Sequence, residues 1–90
     1  KNYYYIAKII LKAYHCEMGR TIRRGRFEWD AEKSRINFEL HGIELKNAVE
    51  AFLDEERVIA QDEAHSQSEQ RYFCIGKIGN RIATVRFTYR

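Results

Sequence analysis

FEWDAEKSRINFELHGIELKNAVEAF, residues 27–52, is the stretch from which the rest of the chain is read. Residues 26–29 alternate apolar and polar side chains around Phe27 and Trp29, the period of a half-buried strand. Asp30 follows, and its short carboxylate suits the first turn of a helix, where an N-cap stabilises by ~1 kcal/mol over Ala. Glu32 then sits near the positive end of the helix dipole. Lys33, Asn37 and His41 recur at four-residue spacing, and Ile36 and Leu40 form an apolar i, i+4 pair. Gly42 can take the left-handed conformation that stops a helix without a Cβ penalty. Leu45, Ala48, Val49 and Phe52 restart the helical spacing at once, with Glu44 and Glu50 on the polar side. The stretch therefore reads strand, helix, tight turn, second helix.

C-terminal to it, Asp54-Glu55-Glu56 reads as a solvated acidic turn and residues 58–60 as a short strand. Residues 61–70, with Asp62, Glu63 and His65, read as an exposed loop. Residues 71–78 and 81–89 are two apolar runs around Gly79-Asn80, a hairpin signal. On the second run Ala83, Val85, Phe87 and Tyr89 alternate with a set containing Arg86 and Arg90, which places both arginines on the less apolar face.

N-terminal to it, Tyr3, Ile6, Ala7, Ile10, Tyr14 and Met18 share one helical face and predict a helix over residues 1–18, stopped at Gly19. Three adjacent tyrosines and Ile9-Ile10 leave a strand open as the alternative. The tyrosine stripe can pack on the body or on a second copy, or stack on single-stranded RNA. Residues 20–26 read as a basic linker. The expected fold is α+β: a small twisted antiparallel sheet with two helices on one face, order β-α-α-β-β-β, preceded by the N-terminal helix.

A chain of 90 residues is one folding unit. Residues 1–26 hold seven Lys or Arg and one acid; residues 27–90 hold nine Lys or Arg and twelve acids. A basic arm before an acidic body suits an anionic partner or a solvated tail. No apolar run approaches the roughly 18–20 residues of a membrane span. Cys16 and Cys74 lack metal spacing and read as free thiols of a reducing cytoplasm, with a disulfide as the alternative. His65 stands near two acids, but no second His or Cys lies at ligand spacing, so neither metal nor cofactor is expected.

No acyl-transfer triad and no glycine-rich phosphate loop are legible. What remains is a set of arginines, lysines and histidines on a strand face and a helix end. That set suits metal-independent RNA cleavage, in which the RNA's own 2′-hydroxyl attacks. The protein then has to move protons and neutralise the phosphorane, tasks for histidine and for always-charged arginine.

FEWD at residues 27–30, K-x3-N-x3-HG at residues 33–42, D-x2-HS from Asp62, and Glu69-Gln70-Arg71-Tyr72 before an apolar hairpin together resemble the BrnT family of toxins. That family belongs to the RelE-like ribonucleases of bacterial toxin–antitoxin pairs, and the resemblance covers residues 27–90. It implies a RelE-like fold, an RNA substrate, no metal, and a DNA-binding antitoxin that covers the toxin. It also implies roles for His41 of the HG turn, Arg71 of the ERY-like run and Arg90 at the hairpin end; Arg86 joins them from the strand-face pattern. Lys33, Lys77, Arg81, Arg23 and Arg24 are the expected RNA-binding cations.

Two departures bear on activity. Leu40 stands where the family often has lysine. Beyond Arg90 the family continues into a further strand and helix, so the domain over residues 27–90 is expected to lack them. Three readings follow: an active endoribonuclease toxin in the cytoplasm, an inactive relic that only engages an antitoxin-like protein or RNA, and an oligomer formed through the N-terminal helix.

Overall fold

A computed structural model describes residues 4–9, 19–65 and 70–89. The elements run β1 (Tyr4–Ile9), β2 (Thr21–Arg24), β3 (Phe27–Asp30), α1 (Ala31–His41), a 3-10 turn (Leu45–Ala48), α2 (Val49–Leu53), β4 (Val58–Gln61), a 3-10 turn (Glu63–His65), β5 (Tyr72–Ile78) and β6 (Arg81–Tyr89). The fold is α+β, with one six-stranded sheet in the order β2-β3-β1-β6-β5-β4.

The central stretch folds as its local chemistry dictates. The Asp30 carboxylate accepts the Lys33 backbone N–H at 2.9 Å, and Gly42 closes α1 with φ 73° while its N–H returns to the Phe38 carbonyl. The second predicted helix is split into the 3-10 turn and α2. The face α1 buries is not the expected one. Phe38 and Leu40 are exposed, whereas Ser34 and Asn37 are buried. Ser34 Oγ accepts the Leu45 N–H at 2.9 Å, and Asn37 Nδ2 donates to the Ile43 carbonyl at 2.9 Å. These two side chains fasten α1 to the following turn by satisfying backbone groups that burial would otherwise orphan.

The N-terminal expectations are overturned where the chain is described. Residues 4–9 form a strand rather than a helix, and residues 10–18 lie outside the described residues. Strand β1 runs parallel to β3 and antiparallel to β6, so the sheet is mixed rather than purely antiparallel. Tyr4 and Ile6 share one face of this strand, and Ile6 is fully buried. The basic linker is β2, which pairs with β3 through a turn in which Gly25 has φ 59°. A helix-borne oligomer contact has no basis over residues 4–9, which pair within the chain's own sheet.

Both helices cover one face of the sheet. Ile6, Trp29, Val85, Phe87 and Cys74 meet Ile43, Leu45, Ala51 and Phe52 there. Contact between α2 and β5 is so close that a Cβ on Gly76 would stand 2.6 Å from the Ala51 carbonyl oxygen. Cys74 is a buried free thiol whose Sγ lies 3.6 Å from that same carbonyl. Around Phe87 an aromatic cluster links Tyr4, Phe27, Phe52, Tyr72 and Tyr89, with ring centroids 4.9 to 5.9 Å apart. Such pairs contribute roughly 0.5–1.5 kcal/mol each beyond the area they bury.

The acidic turn is more than solvated charge. Asp54 Oδ1 accepts the Glu56 N–H and Oδ2 the Lys77 N–H, and these backbone donors hold its carboxyl below the usual range. Glu50 Oε1 accepts the Gly79 N–H, fixing the β5–β6 turn to α2.

Candidate functional site

Strand pairing sorts the β6 side chains onto two faces. Val85 pairs with Cys74 and Phe87 with Tyr72 on the helix-covered face; Arg86 pairs with Phe73 on the other. No described helix packs on that second face. There the Arg86 side chain is only 11% exposed, because it lies against Phe73 and against Asp62, which is 4% exposed. Arg86 Nε stands 3.1 Å from Asp62 Oδ2, and the guanidinium carbon lies 5.7 Å from the centre of the Phe73 ring. Withdrawing both charges from water costs several kcal/mol per ion before their attraction offsets it. Such arrangements concentrate where a protein needs a charge held in place.

Asp62 is the residue missed in the sequence, read there as part of an exposed loop. It directly follows β4 and is buried, and its backbone N–H donates to the Arg71 carbonyl at 2.8 Å. Thr88 Oγ1 donates to the carbonyl of Gln70. The two sides of the loop are thereby stapled to each other and to β6. Asp62, Arg71 and Arg86 consequently meet at one corner, at the β5 start. The D-x2-HS spacing was the available signal: it puts His65 at the end of the 3-10 turn that begins just after Asp62. Partnership with Arg86 was not legible, because 24 positions separate the two residues.

The remaining candidates disperse. His41 ends α1, where its carbonyl accepts from Arg81 Nη1 at 2.9 Å and its Nε2 is buried without a hydrogen-bond partner. Arg81 begins β6 and Arg86 lies five residues further along it on the opposite face, roughly 16 Å away at ~3.3 Å per residue. His41 therefore belongs to the β5–β6 turn end, not to the corner holding Arg71 and Arg86. Lys77 shares the Arg86 face and is exposed. Arg23 is engaged with buried Glu28, donating from Nε at 3.1 Å and Nη2 at 2.8 Å. Arg24 is exposed on the outer strand β2, and Lys33 sits half-buried in the first turn of α1. Arg90 lies outside the described residues.

The face that no described helix covers is also apolar in part. Val58, Ile75 and Ile82, on three neighbouring strands, are 55%, 36% and 62% exposed. Among the described residues no group of three or more His, Cys, Asp or Glu is placed to hold a metal ion. No described helix is long and apolar enough to cross a membrane.

The chain is thus a small α+β domain in which a largely buried Arg86 is braced against Asp62 and Phe73. The family model described as "Ribonuclease toxin, BrnT, of type II toxin-antitoxin system" matches residues 29–90, and the chain belongs to that family. Membership implies an antitoxin protein as partner. No curated protein and no solved structure matches the chain.

Proposed function

We propose that this chain is a metal-independent endoribonuclease acting on cytoplasmic RNA and neutralised by a cognate DNA-binding antitoxin. The observation that carries the reading is the Asp62–Arg86 pair beside Arg71 on the sheet face that no described helix covers. Cleavage by the 2′-hydroxyl asks little covalent chemistry of the protein. The hydroxyl loses its proton, attacks the adjacent phosphorus, and the 5′-oxygen leaves with a proton, giving a 2′,3′-cyclic phosphate. The extra negative charge of the phosphorane is what a fixed guanidinium stabilises.

In this reading Arg86, oriented by Asp62 and Phe73, and Arg71 flank the phosphate. Arg90, which the family resemblance adds to this set, lies outside the described residues. Lys77 lies farther along the open face and would hold a neighbouring phosphate. Arg24, Arg81 and Lys33 would act only as peripheral cations, and Arg23 is committed to Glu28. Proton transfer is assigned to a histidine, and His41 is too far along the sheet to serve Arg86 directly. His65, which ends the turn after Asp62, is the better placed in the backbone.

Incubating purified protein with RNA in the presence of a chelator tests this directly. Fragments ending in 2′,3′-cyclic phosphate are expected. Arg71→Ala and Arg86→Ala should each slow cleavage roughly 100-fold or more, the scale of one lost preorganised donor. Cleavage by both folded variants at the rate of the unaltered protein would refute the site.

One observation favours a second reading, a relic that binds without cleaving. The Asp62 carboxylate already offsets the charge of Arg86, and Val58, Ile75 and Ile82 beside it suit a protein partner. Full affinity for the antitoxin with no turnover of any RNA would establish it.

A further inference from the structure

The two edges of the sheet are not alike. Among the described residues, β2 closes one edge and β4 the other. An edge strand presents unpaired backbone donors and acceptors, and charged side chains are a usual guard against pairing with a further chain. Strand β2 has that guard in Arg23 and Arg24. Strand β4, Val58-Ile59-Ala60-Gln61, has no charged residue, and each of its residues is exposed. Register places Val58 opposite Ile75 and Ile59 opposite Cys74, so Val58 and Ile59 stand on opposite faces of the sheet. On the face that no described helix covers, Val58 continues the exposed apolar patch of Ile75 and Ile82. On the helix-covered face, Ile59 lines a cleft with Leu53, which is 72% exposed. Strand addition uses such an edge: backbone hydrogen bonds supply affinity, and side chains alternating between the two faces supply specificity.

Charge decides between the strands that could be added. Glu55 and Glu56 precede β4 and are exposed, and their carboxylates enter no ion pair among the described residues. Glu63 stands just beyond the other end of β4 and is exposed as well. A second copy paired antiparallel along the whole of β4 sets Val58 against Gln61 of the other copy, and this carries Glu56 of each copy toward Glu63 of the other. Like charges set opposite each other across strands are destabilising. A different chain, with lysine or arginine after its apolar run, meets Glu55 and Glu56 with opposite charge.

We propose that β4 is the docking edge for the antitoxin, which adds to it an extended antiparallel segment, apolar on both faces and ending in lysine or arginine. The inference rests on the antitoxin partnership that family membership implies, and it says where and in what conformation that partner is held. Strand β4 leads directly into Asp62, so a segment running one residue past Gln61, ~3.3 Å, reaches the Asp62–Arg86 corner. Strand addition thereby brings the partner to the reaction centre proposed above.

The probe is a fluorescein-labelled peptide of six alternating valine and threonine residues followed by two lysines, which antiparallel pairing brings to Glu55 and Glu56. Anisotropy reads its binding, and amide hydrogen exchange locates it. Exchange within residues 58–61 should slow roughly tenfold or more, with β2 unchanged. N-methylation of the six residues removes their donors and should abolish binding. A peptide ending in two glutamates should bind roughly fivefold more weakly, and the double variant Glu55→Lys/Glu56→Lys should reverse that preference. Val58→Lys places a charge on an exposed edge position and should weaken binding roughly tenfold with an unaltered circular dichroism spectrum. In the complex with co-expressed antitoxin the same β4 amides should be protected. No peptide binding up to about 1 mM would overturn the proposal, as would protection of β2 in place of β4 or β4 exchange that the antitoxin leaves unchanged. A dimer of the chain alone that Val58→Lys dissolves would give the edge to a second copy, and the proposal fails. RNA cleavage is measured in parallel. Cleavage by a protein that takes up neither strand sinks the docking edge alone, and strand uptake without cleavage sinks the ribonuclease alone.

Discussion

Replacing Asp62 by Asn removes the carboxylate that stands 3.1 Å from Arg86 Nε while leaving the shape of the corner nearly unchanged. At an effective dielectric of about 20, opposite unit charges at that separation attract by about 5 kcal/mol. Breaking a buried pair by removing one partner costs about 3–5 kcal/mol, because the remaining charge stays withdrawn from water. A domain of this size has a stability on the order of 5–15 kcal/mol, so the loss is a large share of the total. It corresponds to a fall in Tm of roughly 12 °C or more, at ~4–8 °C per kcal/mol. Urea denaturation of Asp62→Asn, Arg86→Met and the combined variant measures the coupling. The prediction is a coupling of about 2 kcal/mol or more, nearly insensitive to salt. The apolar double variant Asp62→Leu/Arg86→Met should recover to within about 1 kcal/mol of the unaltered protein or exceed it. That double variant should nevertheless be inert toward RNA. A coupling below about 0.5 kcal/mol would refute the buried-pair reasoning. Full cleavage by the stable double variant would refute the catalytic role of Arg86.

Other consequences are simpler to read. His41→Gln should leave cleavage within about twofold of the unaltered protein, far below the ~10²–10⁴-fold that a proton-transfer residue contributes; a larger loss in a folded variant would relocate the reaction to the α1–β6 corner. Gly76→Ala forces a methyl to within 2.6 Å of the Ala51 carbonyl oxygen, so α2 must shift from β5 at a cost of about 1–3 kcal/mol, measured by urea denaturation. Burial pushes the Cys74 thiol up to about 11 and raises the Tyr89 hydroxyl, so the stability they contribute is complete below their unfolded-state values and declines as pH rises from about 9 toward 11. In a Cys16→Ser background, Cys74 should resist alkylation at pH 8 until the protein unfolds; rapid labelling of the native state would contradict its burial.

What was legible in the sequence was what local chemistry decides. Asp30, Gly42 and Gly79 act on backbone groups within four residues of themselves, so the helix start, the helix stop and the hairpin turn could be read directly. Residues 4–9 could not. Their apolar side chains fit both a 3.6-residue and a 2-residue period, and the strand forms because Tyr4 and Ile6 find Phe27 and Trp29 on one side and Tyr89 and Phe87 on the other. Those partners are more than 20 residues away, so the choice is made by tertiary pairing that outweighs local preference. The K-x3-N-x3-HG run shows the converse. Its spacing is conspicuous, yet the Asn37 side chain is spent on the Ile43 carbonyl and the His41 position meets Arg81 only through its backbone carbonyl, which makes part of the run a clasp for the fold. Arg86 was placed on the correct face by alternation alone, while its burial depended on Asp62 turning inward.

A guanidinium that must meet charge developing at one phosphorus works best when its orientation is fixed before the substrate arrives, because reorganisation during the reaction would consume the stabilisation. Asp62 and Phe73 supply that fixation to Arg86. Their cost is the desolvation of two charges, which an apolar pair of similar volume would avoid. If stability alone were at stake the apolar pair would serve at least as well, so the double variant that restores stability is the one that isolates what the ion pair does for the reaction.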